Sequence, residues 1–144
     1  MKVLISACLL GENCKYNGGN NFNATLAEFL ADKEVVTICP EVFGGLPTPR
    51  LPVEIADGKA INVNGEDCTP QFEKGALLAL EIAKREQPDI IILQPRSPSC
   101  GVYKIYDGSF CGKLIDGMGF TARVLKENGF AIYESEEIID NKGV

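Results

Sequence analysis

The chain has 144 residues, 45% hydrophobic and 24% charged, with a net charge of −6, six cysteines and no histidine. The length suits one domain with its own core, expected to span residues 1–144. The acidic balance argues against a nucleic-acid polymer as partner, and the missing histidines exclude Ser-His-Asp and Cys-His catalysis and His-ligated zinc.

Residues 2–7 form a short apolar run that reads as a buried strand. The segment 11–22 is rich in Gly and Asn and reads as a loop. Asn23 is placed to cap a helix through about Lys33, with Leu26, Phe29 and Leu30 on one face. A second strand covers 34–38. Residues 40–52 hold four prolines and two glycines and read as an extended loop. Alternation around Asp57-Gly58 predicts a β-hairpin over 53–63.

The clearest helix runs from about Pro70 to Glu86, with Thr69 as its expected N-cap. Residues 89–93 form a third buried strand. A helix is expected from Thr121 to Asn128, stopped by Gly129, then a fourth strand over 130–133 and a short helix after Glu134. Tyr106-Asp107-Gly108 reads as a turn, and Glu134, Glu136 and Glu137 as a solvated face. Strand and helix alternate, so the expected fold is α/β: a mainly parallel sheet with flanking helices, Rossmann-like, carrying a small β-hairpin insertion.

No apolar run reaches the roughly 18 residues of a membrane helix, and the N-terminus lacks a signal-peptide layout. A cytoplasmic protein with no membrane partner is expected. Cysteines in that compartment point to metal or catalysis rather than disulfides. Three of them follow predicted strands: Cys8 the first, Cys39 the second and Cys100 the third. In a parallel sheet, the carboxyl ends of strands share one edge, where ligands bind. Three thiolates arriving there are soft ligands suited to an iron–sulfur cluster, zinc or copper(I). The spacing leaves these alternatives open, and a non-catalytic iron–sulfur or zinc carrier or redox sensor uses the same three cysteines. Cys14, Cys68 and Cys111 read as inert buried thiols.

The motifs SACLLG, CPEVFGGLPTPR, SPSCG and YDGSF occur in this order between Lys2 and about Glu134. They resemble a bacterial family, long catalogued as a domain of unknown function, whose characterised members are thiouracil desulfidases. The twelve-residue CPEVFGGLPTPR block is the most specific of them. The resemblance implies a [4Fe–4S] cluster held by Cys8, Cys39 and Cys100, with the fourth iron taking the sulfur of a small thiocarbonyl substrate. It implies Glu41 and Ser97 as catalytic side chains, with Ser99 as the competitor for the serine role. The implied reaction is hydrolytic desulfuration of a thiolated nucleobase or nucleoside, with sulfide released. Cys14, Cys68 and Cys111 match no ligand element of the family, and a fourth ligand at Cys14 stays open. Arg50 is expected either to offset cluster or substrate charge or to pair with Glu54, and Tyr16 to stack on a base or pack its loop.

Overall fold

The structure, a computed structural model, describes residues 1–142, so residues 143 and 144 of the expected domain lie outside the described residues. Its centre is a four-stranded parallel sheet built from β1 (Lys2–Ser6), β2 (Glu34–Ile38), β5 (Ile90–Leu93) and β8 (Ile132–Glu134), in the order β2-β1-β5-β8. Near-continuous Val, Leu and Ile runs make β1 and β5, as strands covered on both faces require. Alternate side chains then serve two cores. Leu4, Ile38, Ile91 and Leu93 pack under α3 (Thr69–Glu86) and α4 (Phe120–Glu127). Val3, Ile5 and Ile92 pack with Leu26 and Leu30 of α1 (Ala24–Leu30), and Ile138 of α5 (Ser135–Lys142) closes that side.

Two antiparallel pairs stand outside this sheet. β3 (Val53–Ala56) and β4 (Lys59–Asn62) form the expected hairpin, with Asp57 and Gly58 both at positive φ, 50° and 76°. β6 (Lys104–Tyr106) and β7 (Leu114–Asp116) form a second pair where only a turn was expected. These strands have three residues each, with Ile105 buried in β6 and all of β7 exposed, so period-2 patterning is too short to see.

Local chemistry explains several boundaries. The Asn23 side chain accepts from the Leu26 amide at 3.0 Å and caps α1 as expected. Thr69 does not cap α3. Cys68 holds the N-cap position, and the Thr69 hydroxyl accepts from the Ala60 amide at 3.0 Å, tying α3 to β4. The stretch 40–52 is not wholly extended, because Pro40–Phe43 forms a short helix, α2. Pro40 sits in its first turn, where the ring's fixed φ suits a helix and no amide is missed. The last sheet strand lies at 132–134 rather than 130–133. Glu134 is buried rather than solvated, and accepts from the Val102 amide at 2.9 Å.

α2 lies against α3 at backbone distance. A Cβ at Gly75 of α3 would run into the Pro40 carbonyl, and one at Gly44 into the Gln71 carbonyl. Neither obstacle is a side chain that can swing aside. Gly75→Ala is therefore expected to push α2 off α3 and cost about 1–3 kcal/mol through overpacking. A urea midpoint within error of wild type would refute that close approach.

Candidate active site

The carboxyl ends of β2, β1 and β5 are level: Ser6 pairs with Ile38, and Ile5 with Ile92. The three loops that leave them meet over one cavity of about 530 Å³, within the usual range for a small-molecule site. Cys8, Cys39, Cys100, Glu41, Ser97 and Ser99 all line it. Cys14 lines it too, which was not expected of an inert thiol. Cys68 instead packs with Ala60 and Phe72, and Cys111 is exposed on the β6–β7 loop. All six cysteines are unpaired.

Each loop is fixed by its own backbone. After β1 the chain makes a tight turn, Ala7–Leu10, closed by Gly11 at a φ of 97°, and Cys8 sits inside it. The Asn21 amide donates to the Cys8 carbonyl at 2.9 Å, and its side chain reaches the Cys8 Sγ at 3.6 Å. That brings loop 11–22 back over the cavity. After β2, Cys39 occupies the N-cap position of α2 and puts Glu41 in the first turn. After β5, the Ser6 hydroxyl accepts the Gln94 amide at 3.1 Å. The Ser97 Oγ accepts the amides of Ser99 and Cys100, both at 3.1 Å, and so shapes the turn that presents Cys100. The carbonyls of Pro98 and Ser99 in turn receive the amides of Phe120, Thr121 and Ala122, the first of α4.

Side chains then tie these loops together. Arg50 Nε donates to Glu41 Oε1 at 3.0 Å, and the two side chains are largely shielded, 6% and 14% exposed. Arg50 Nη2 donates to the Cys14 carbonyl at 2.8 Å, and Nη1 to the Pro47 carbonyl and the Thr48 hydroxyl. The Ser99 hydroxyl donates to Glu41 Oε2 at 3.0 Å. Arg50 thus pairs with Glu41, not with Glu54. Glu54 accepts the amides of Gly108 and Phe110 at 3.0 Å each and fixes the loop below Tyr106. The sequence offers a faint signal for the Arg50 link: the arginine closes the same motif that opens on Cys39.

The ionisation of Cys14 is linked to that of both Cys8 and Cys39. The Cys14 thiol holds Cys8 below the ordinary thiol value, with help from Asn21 against burial. The contact with Cys39 pulls Cys14 down, but the bond to Cys8, burial and the charge of Cys8 outweigh it and leave Cys14 at about 11. Cys39 is raised by the bond to Cys14 and by burial. Burial pushes Cys100 up to about 12, against a bond from the Ser6 hydroxyl.

A stability prediction follows from Cys100. Its thiol is favoured over the thiolate in the fold, while the unfolded chain ionises from near 9.0. The unfolded state then binds fewer protons above that value, so stability is whole below it and falls as pH rises towards 12. The loss from this group is about 4 kcal/mol at the top of the window. Urea unfolding of metal-free protein across this range should decline more steeply in wild type than in Cys100→Ala. Parallel declines would dismiss the effect.

The donor set fits a soft metal group: unpaired thiols face a void, with a carboxylate and hydroxyls beside them. Among the described residues no three such groups close round a point as one ion requires. A cubane cluster instead spreads its irons over separate corners, each taking one thiolate.

Fold and cavity together define an α/β domain with a thiol-lined cavity at the carboxyl edge of its parallel sheet. Residues 3–137 match the 2-thiouracil desulfurase family, and the chain belongs to that family. An uncharacterised protein of Bacillus subtilis (strain 168), YbbK, is 38% identical over 148 residues, covering 96% of this chain and 98% of its own length. The solved structure of a [4Fe–4S]-dependent thiouracil desulfidase, TudS, is 35% identical and superposes with a TM-score of 0.90 over 96% of this chain and 93% of that one. The resemblance carried by the motifs and the expected fold class are both borne out. No helix among the described residues is long and apolar enough to cross a membrane.

Proposed function

We propose that this protein is a [4Fe–4S]-dependent desulfidase that hydrolyses a small thiocarbonyl compound of the thiolated nucleobase or nucleoside class. The observation that carries this reading is the arrival of Cys8, Cys39 and Cys100 from three adjacent parallel strands at one cavity, with Glu41 among them. These three thiols would hold the cluster. When bound, it would supply a soft Lewis-acid iron matched to a thiocarbonyl sulfur.

The chain's own residues supply the rest. Glu41 takes a proton from the attacking water. Arg50 and Ser99 hold its two oxygens, so the carboxylate points one way. Ser97 spends its lone pairs on two amides, which leaves its O–H to donate towards substrate. Tyr16 and Tyr106 line the cavity and offer flat apolar faces for a base. The balance needs no electrons: water adds to the C=S carbon, the C–S bond breaks, and a carbonyl compound and hydrogen sulfide leave.

Single Cys→Ser variants, reconstituted anaerobically with iron and sulfide, test the assignment. Changes at Cys8, Cys39 or Cys100 are expected to abolish most iron binding and all turnover of 2-thiouracil. Cys68→Ser and Cys111→Ser are expected to keep both. A fully loaded wild type that turns over no thioamide would favour a carrier or sensor instead.

A further inference from the structure

Cys14 belongs to none of the ligand motifs, yet the fold treats it as part of the site. Arg50 Nη2 grips its carbonyl at 2.8 Å, and the Cys39 thiol approaches the same oxygen at 3.8 Å. Two backbone bonds fasten the loop beyond Cys14: Arg50 N–H to the Tyr16 carbonyl, and Asn21 N–H to the Cys8 carbonyl. Cys14 is half-buried and lines the same cavity as Cys8, Cys39 and Cys100. Four thiols therefore face the cavity.

A thiol that lines the cavity where a metal group would sit is within reach of that group. Cubane clusters usually take four thiolates, and the three strand-end cysteines leave one iron unfilled. Loop 11–22, which carries Cys14, belongs to no sheet or helix, so it can yield without breaking either.

We infer that Cys14 is a resting ligand of the fourth iron, which a substrate thiocarbonyl displaces. The inference rests on the cluster reading above and deepens it. The step is a ligand exchange: the bond from iron to the Cys14 sulfur breaks, a bond from iron to the substrate sulfur forms, and the freed thiolate takes a proton from water. No electrons are transferred. Cys14 thereby guards the open iron while the site waits, and competes with substrate for it.

The test compares anaerobically reconstituted wild type, Cys14→Ser and Cys14→Ala. All three are expected to load four irons per chain. After mild oxidation with ferricyanide, wild type keeps four, whereas both variants fall to three and show the paramagnetic signal of a three-iron cluster. A second arm uses wild type alone. Iodoacetamide labelling of Cys14, read by mass spectrometry, is slow in loaded protein and rises about tenfold when 2-thiouracil frees the thiol. The KM for 2-thiouracil is expected to fall in Cys14→Ala. Equal iron loss in wild type and variants, or labelling indifferent to 2-thiouracil, overturns the inference and leaves the three-cysteine cluster standing. A wild type that takes up no iron overturns the cluster reading itself, and this inference with it.

Discussion

Glu41→Gln is expected to lower turnover of 2-thiouracil by about 10²–10⁴-fold, the usual cost of removing a general base. The amide keeps the shape of the carboxylate but cannot take a proton from water, and the chain has no histidine to replace it. The substitution also leaves Arg50 without its partner. That pair is largely buried, and stripping one member of such a pair costs about 3–5 kcal/mol. The two effects separate in the double variant Glu41→Gln with Arg50→Met, which removes both charges. It should recover stability without recovering turnover. Iron content and the cluster's absorption should persist in the single variant, and a wild-type rate with an intact cluster would remove Glu41 from the mechanism. Ser97→Ala and Ser99→Ala complete the comparison. Ser99→Ala costs Glu41 one hydrogen bond, whereas Ser97→Ala costs the cavity its free hydroxyl, so the larger fall in turnover is expected from Ser97→Ala.

Arg50→Ala is expected to destabilise the protein by about 3–5 kcal/mol, because it leaves the largely buried Glu41 without its countercharge, with only the Ser99 hydroxyl bonded to it. Arg50→Lys should rescue only part of that. The guanidinium uses Nε for Glu41, Nη1 for Pro47 and Thr48, and Nη2 for Cys14, a fork that one ammonium cannot reproduce. Urea unfolding should show a lower midpoint with an unchanged slope. Because the same side chain holds loop 11–22, both variants should also lose turnover. An Arg50→Lys protein with wild-type stability would show the fork to be redundant.

The sequence disclosed β1 and β5 because they are buried on both faces, and such strands announce themselves as unbroken apolar runs. The long helix α3 was equally clear from Phe72, Ala76, Ala79 and Ala83 at helical spacing. α2 escaped notice because Pro, Gly and a four-residue length mask a helix whose support comes from Gly44 and Gly75 against α3. In the site, the strand-end cysteines could be read because topology alone carries strand ends to one edge. Cys14 could be read only as an open fourth ligand, since its place depends on a loop folded back by Asn21 and Arg50. The Arg50–Glu41 pair was hidden for a similar reason. They stand nine positions apart, Glu41 in α2 and Arg50 in the loop that follows, and only the tertiary course of 44–52 brings them together.

The bonds between the Cys100 turn and α4 couple two scales of motion. The amides of Phe120, Thr121 and Ala122 are satisfied by the carbonyls of Pro98 and Ser99, and Gly119 leaves no room for a side chain behind the turn. The turn cannot open without uncapping α4, whose Ala122 and Leu125 are sealed in the core. Residues 97–101 and α4 therefore open and close as one cooperative unit. Amide exchange at 120–122 then reads out whether the Cys100 corner is shut, from a helix that never touches the substrate.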